Sequence, residues 1–86
     1  MKRPTVFSLE TELERLSVPT LIMVGDEDAF CIEPSIFMKR HVPNSGLMVF
    51  PQSGHALNLE DPGNFNRTVL DFLTLVEAGK WATRQP

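Results

Sequence analysis

Two short stretches of this chain hold side chains that could do chemistry together. One is Gly25-Asp26-Glu27-Asp28, a run of carboxylates behind a glycine; the other is Ser53-Gly54-His55, an imidazole close to a hydroxyl. An aspartate that accepts a hydrogen bond from one histidine nitrogen fixes the tautomer and leaves the other nitrogen free as a base. It also stabilises the imidazolium formed when that base takes a proton. Asp28 and His55 are the candidates for this pair, and Asp26 and Glu27 compete with Asp28 within the acidic cluster. His41 falls at a predicted helix end, where the helix dipole favours it. A nucleophile is harder to find. Ser53 shares the loop of His55 and does not stand in the strand-turn-helix elbow that would aim its hydroxyl. Cys31 follows the acidic turn, but a reactive thiol needs an activating environment that spacing alone does not supply.

The same residues argue against a metal. Read as an EF-hand loop, Asp26-Glu27-Asp28 would place Phe30 and Cys31 where a ligand and a glycine are needed, and Phe37 where the closing glutamate belongs. For zinc, the chain has no His-x-x-x-His or Cys-x-x-Cys spacing. No metal and no cofactor is expected, and Met23, Met38 and Met48 read as core filler.

The elements that must position these groups can be read from the apolar pattern. Leu9, Leu13 and Leu16 stand at helical spacing behind Ser8 as the expected cap, and Pro19 stops the pattern. Thr20 to Val24 is an apolar run bounded by Pro19 and Gly25, which suits a strand buried on both faces and hence parallel pairing. Pro34 fits the first turn of a helix reaching about His41. Pro43-Asn44-Ser45-Gly46 makes a turn, and Leu47 to Phe50 is a second strand. A loop over Gln52 to Asp61 precedes a helix that Asp61 caps, running from Pro62 to about Ala78, with Gly79 as its left-handed terminus. Phe65, Val69, Phe72, Leu73 and Val76 form one stripe on that helix at period 3.6, expected to cover the sheet, with Arg67, Asp71, Thr74 and Glu77 toward solvent. The fold class is therefore α/β, a βαβ unit with flanking helices. In open parallel sheets the loops past the carboxyl ends of strands share one edge, so Asp28 and His55 should emerge side by side. Gly25 would permit a sharp exit from the first strand, and Gly54 would spare a side chain where the histidine loop turns close to neighbouring backbone.

At this point a family resemblance appears. Pro19-Thr20-Leu21-Ile22-Met23-Val24-Gly25-Asp26-Glu27-Asp28 resembles the penultimate strand and acid turn of α/β-hydrolases, whose acid usually stands three residues after the glycine, here at Asp28. Ser53-Gly54-His55, then Asn58-Leu59-Glu60-Asp61-Pro62, then Phe65-Asn66 and Phe72-Leu73, resemble the family's histidine loop, the Glu-x-Pro start of its last helix, and that helix. Each motif alone is weak, but their order, spacing and flanking strands agree. The resemblance covers about residues 4 to 82. It implies that the unit corresponds to the last two parallel strands of the hydrolase sheet. It also implies that His55 is general base and acid, that Asp28 orients it, and that a serine in a Gly-x-Ser-x-Gly elbow elsewhere attacks an ester-like carbonyl. The elbow and the oxyanion hole are not among these residues, so the chain alone is expected not to turn over. A small-molecule substrate is expected only in the complete enzyme. The first strand's open edge suggests docking onto an N-terminal hydrolase portion or, in a rival reading, a non-catalytic module that forms a homo-oligomer.

Composition bounds the remaining possibilities. With 86 residues, 42% hydrophobic and 22% charged, the chain has material for one core and no disorder signature, so residues 1–86 read as one partial domain. Only the polar tail from Lys80 to Pro86 is expected to be loosely held. The formal charge is −3 and the basic residues are scattered, which removes the footprint of a nucleic-acid binder. The single cysteine cannot form an internal disulfide, and no apolar stretch follows Met1-Lys2-Arg3, so a reduced cytoplasmic setting without export is expected. Leu21 to Val24 is far too short to span a bilayer, and no membrane partner is expected.

Overall fold

A computed structural model describes residues 6–81. After a 3-10 turn at Val6–Leu9, the elements are α1 (Glu10–Glu14), β1 (Thr20–Gly25), α2 (Ile32–His41), β2 (Ser45–Phe50), α3 (Leu57–Glu60) and α4 (Pro62–Glu77). The two strands pair in parallel, with Thr20 opposite Ser45 and Gly25 opposite Phe50, so both strands end level at the same edge of the sheet. That shared ending is the geometric condition for the two candidate loops to meet.

The core is built where the apolar runs cross: Ile22 and Val24 of β1, Val42 after α2, Phe50 at the end of β2 and Leu57 of α3 are buried. α2 packs against both strands. Pro34 is its third residue, where the missing N–H belongs to the group that an α-helix leaves without intrahelical partners. Phe7 meets Phe37 of α2 edge-on at 4.8 Å.

Several expectations shift in register. Ser45 and Gly46, read as turn, belong to β2. The Ser45 hydroxyl donates to the carbonyl of Val42 at 2.7 Å, which satisfies a buried polar group. A Cβ on Gly46 would stand 2.5 Å from the ring of Trp81, so the glycine is spent on making room for an indole. Trp81 also donates through Nε1 to the carbonyl of Asn44 at 3.0 Å and meets Phe72 edge-on at 4.7 Å. The tail expected to be loose from Lys80 is thus held at Trp81; residues 82–86 lie outside the described residues.

The N-terminal helix is shorter than its leucine spacing suggests. Ser8 sits within the 3-10 turn, Leu9 takes the cap position without a side-chain hydrogen bond, and both Leu9 and Leu16 are exposed. In α4 the predicted boundaries hold: Asp61 accepts from the N–H of Asn64, and Gly79 takes a φ of +69°. Its stripe is narrower than expected. Phe65, Val69, Phe72 and Val76 are half-buried, but Leu73 is 48% exposed. The helix does not close on the sheet either. A cleft of about 360 Å³ separates them, lined by Leu21 and Met48 from the strands and by Thr68, Phe72 and Leu75 from α4. Among the described residues no helix is long and apolar enough to cross a membrane.

Candidate active site

The two loops lock together through backbone before any side chain is considered. Beyond β1, the N–H of Asp26 donates to the carbonyl of Phe50 at 3.0 Å and that of Glu27 to the carbonyl of Ser53 at 2.9 Å. Asp26 adds its own carboxylate, which accepts from the N–H of Ser53 at 3.3 Å. Asp26 therefore ties the turn to the histidine loop and is committed to that loop's backbone. Gly25 is required by proximity: a Cβ there would lie 2.1 Å from the Ser53 carbonyl oxygen and 2.5 Å from that of Gly54. Its φ is not in the left-handed region, so the expected sharp exit from the strand is not the reason for this glycine. At Gly54 the neighbour is likewise different from the one expected, since an added Cβ would meet the carboxylate of Glu60 at 3.2 Å instead of backbone.

On this frame Asp28 and His55 meet. The carboxylate Oδ2 lies 2.9 Å from His55 Nδ1, the shortest of the histidine–carboxylate pairs among the described residues. The Asp28 side chain is 11% exposed and that of His55 is 87% exposed, so the acid is covered while the imidazole reaches into solvent. With Nδ1–H donating to the carboxylate, Nε2 keeps its lone pair and faces outward as a base. The other histidine, His41, ends α2 at 3.7 Å from Glu10 and 3.6 Å from Glu14 of α1, a separate, half-buried group.

The hydrogen bond from His55 is the main cause that holds the Asp28 carboxyl below its ordinary range; burial opposes it, and the Cys31 thiol and N–H and the charge of His55 add to it. A carboxyl depressed in the folded state stabilises the fold at pH above about 3.9, where the unfolded chain has also lost the proton. That contribution fades as pH falls through the folded value. Carbon-detected titration of the Asp28 carboxyl should give a midpoint below about 3.9, and His55→Ala should return it toward that value. A midpoint unmoved by the substitution would contradict the assignment of the main cause.

Spacing did not reveal Glu60. From the end of α3 its carboxylate accepts from the N–H of Gly54 at 3.1 Å and from the N–H of Ala56 at 3.2 Å, bracketing His55 on both sides. A carboxylate on two backbone donors is a strong, directional clamp. The available signal was a glutamate six residues after a glycine in the same loop, which acquires meaning only once the loop folds back over a helical turn. Replacing Glu60 by alanine should speed hydrogen exchange at Gly54 and Ala56 by about tenfold, the equivalent of roughly 1.4 kcal/mol, with the amides of the sheet unchanged.

The candidate nucleophiles are poorly suited to attack. The Ser53 hydroxyl is buried and donates to the carbonyl of Pro51 at 3.1 Å. Cys31 does approach the pair, but its hydrogen bond to Asp28, with burial assisting, pushes the thiol above its ordinary value and keeps it protonated.

No family model matches the chain. It is 37% identical over 68 residues to RutD of Pseudomonas savastanoi pv. phaseolicola, which covers 78% of this chain and 26% of that protein. It is 39% identical over 64 residues to 2-hydroxy-6-oxononadienedioate/2-hydroxy-6-oxononatrienedioate hydrolase 2 of Pseudomonas putida, covering 73% of this chain and 22% of that one. The structure of MenH from S. aureus superposes with a TM-score of 0.74 at 31% identity, over 78% of this chain and 25% of that chain. This chain belongs to the α/β-hydrolase fold family. Its two parallel strands with flanking helices are those of a C-terminal hydrolase segment. The hydrolase segment spans about a quarter of the length of the curated relatives it matches.

Proposed function

We propose that this chain supplies the acid and histidine of a serine-hydrolase-type triad. His55 is the general base toward a nucleophile and then the general acid toward the leaving group, and Asp28 holds its tautomer and stabilises the imidazolium. The observation that carries this reading is the 2.9 Å contact between Asp28 Oδ2 and His55 Nδ1, made across loops that leave adjacent parallel strands, with the other imidazole nitrogen open. The nucleophile, the oxyanion hole and the pocket for an ester-like substrate belong to the remainder of an α/β-hydrolase fold.

Surface chemistry supports the need for that remainder. Met48 and Val49 of β2 are 36% and 40% exposed, although strands of a parallel sheet are normally covered on both faces. β1 has no partner on its second edge among the described residues, which leaves a row of backbone donors and acceptors that another strand would satisfy.

Alone, the chain is inactive in this reading. Assay of the purified 86-residue chain against activated esters should give no turnover above buffer, and robust turnover abolished by His55→Ala would overturn the claim. The open edge also favours a second reading, a non-catalytic module that assembles through strand addition. Mass measurement during size exclusion separates the two. A discrete, stable dimer supports the module, whereas aggregation relieved by adding an N-terminal hydrolase portion supports the segment.

A further inference from the structure

Asp28, Cys31 and His55 bring one oxygen, one sulfur and one nitrogen donor together, with their ligand atoms all within 4.8 Å of one another. We propose that these three side chains form a binding site for zinc or a similar thiophilic divalent ion. The inference does not rest on the hydrolase reading, because it uses only the donor set and its geometry.

Three features support it. The donors are chemically mixed: imidazole and thiolate are the usual partners of zinc, and a carboxylate completes a neutralising set. They are also held in place before any ion arrives. Asp28 and Cys31 share one turn, in which the N–H groups of Cys31 and Ile32 both donate to the Asp28 carbonyl at 3.1 Å, and His55 is brought to that turn by the contact with Asp28. Zinc–ligand bonds of about 2.0–2.3 Å place tetrahedral donors roughly 3.3–3.7 Å apart, so side-chain rotation alone can close the site. Finally, His55 is largely exposed, which gives an ion a path in from solvent and leaves a fourth position for water. Sequence spacing points away from zinc because the ligands come from two loops that only the parallel pairing brings together.

On binding, the Cys31 S–H bond breaks, a sulfur–metal bond forms, and the thiol proton passes to buffer. If His55 ligates through Nδ1, its proton moves to Nε2 and the hydrogen bond to Asp28 is replaced by two bonds to the same ion. The ion would then occupy both members of the candidate pair and act as an inhibitor of any hydrolase that contains them.

A second group, Glu10, Glu14 and His41, also holds three donors close together, but without sulfur, which makes it an internal control. Titration of the reduced, full-length chain with Co²⁺ should develop a thiolate-to-cobalt charge-transfer band that saturates at one ion per chain and is displaced by one equivalent of Zn²⁺. Cys31→Ser should abolish the band. His55→Ala and Asp28→Asn should each weaken binding by about tenfold or more, and a Glu10→Gln, Glu14→Gln double variant should bind as the parent does. In the unmodified chain, amide shifts on adding Zn²⁺ should centre on residues 26–31 and 53–56. The proposal is overturned by absence of the charge-transfer band, by cobalt binding that is indifferent to both His55→Ala and Asp28→Asn, or by zinc-induced shifts centred on residues 10–14 and 41.

Discussion

Replacing His55 by alanine is expected to lower turnover by about 10⁴-fold or more in a chimera where this chain takes the place of the matching segment of the Pseudomonas putida hydrolase. The effect should be large because the imidazole is asked to remove a proton in one step and return it in the next, so its loss leaves only binding and the oxyanion hole. It should fall on kcat with little change in KM, since the proposed role is exercised in the transition state. Asp28→Asn is the sharper companion. It preserves shape, but an amide nitrogen facing Nδ1 favours the tautomer that puts the lone pair on the wrong side of the ring, and a loss of about 10⁴-fold is expected. A folded chimera whose kcat is unchanged by either substitution would remove both residues from the mechanism. Asp26→Asn separates the acid from its neighbour. Asp26 accepts from the Ser53 N–H and is not bonded to the imidazole, so its effect should be much smaller.

Much of the architecture was legible because local chemistry and packing agree. Asp61, Pro62 and Gly79 mark α4 at both ends by capping preference, fixed φ and left-handed tolerance, and those preferences act within a few residues of where they are read. The strands were visible as apolar runs between proline and glycine. Their extra residues were not, because Ser45 and Gly46 look like turn until β1 and Trp81 are present to pair with and pack on them. The stripe of α4 was read correctly in period and too broadly in extent. Leu73 continues the pattern along the sequence, yet the helix stands off from the sheet and its flank is left in solvent. In α1 the leucine spacing was a true helical signal, but only a short helix forms and Leu9 and Leu16 stay exposed.

The candidate pair was legible for a different reason. Parallel pairing sends consecutive strand ends to one edge, so a carboxylate and an imidazole on successive loops must converge whatever the intervening helix looks like. What the sequence could not supply was the set of contacts made across that edge: Glu60 reaching back to Gly54 and Ala56, and Cys31 turning toward Asp28. Both depend on how a loop folds over its neighbour, and the spacing of Glu60 from Gly54 and of Cys31 from Asp28 acquires meaning only once that fold is known.

The second large effect concerns the one residue that allows those loops to touch. Gly25→Ala should destabilise the fold by about 3 kcal/mol and break the contact between Asp28 and His55. The added methyl would overlap two carbonyl oxygens at 2.1 and 2.5 Å, and both belong to backbone, so no rotamer change can relieve the clash. The histidine loop must move away from β1 as a unit. That motion breaks the bond from the Glu27 N–H to the Ser53 carbonyl and from the Ser53 N–H to Asp26 before it separates the side chains. Gly63→Ala provides the contrast, since nothing lies within 4 Å of its added Cβ in the first turn of α4. It should be neutral or stabilising by about 0.5–1 kcal/mol. Thermal melting of the two variants beside the parent checks the difference. Loss of the Asp28–His55 hydrogen-bonded proton signal in Gly25→Ala alone distinguishes a displaced loop from a general loss of stability. Equal melting temperatures for the two variants would mean that the histidine loop does not rest against β1, and the basis for bringing acid and imidazole together would go with it.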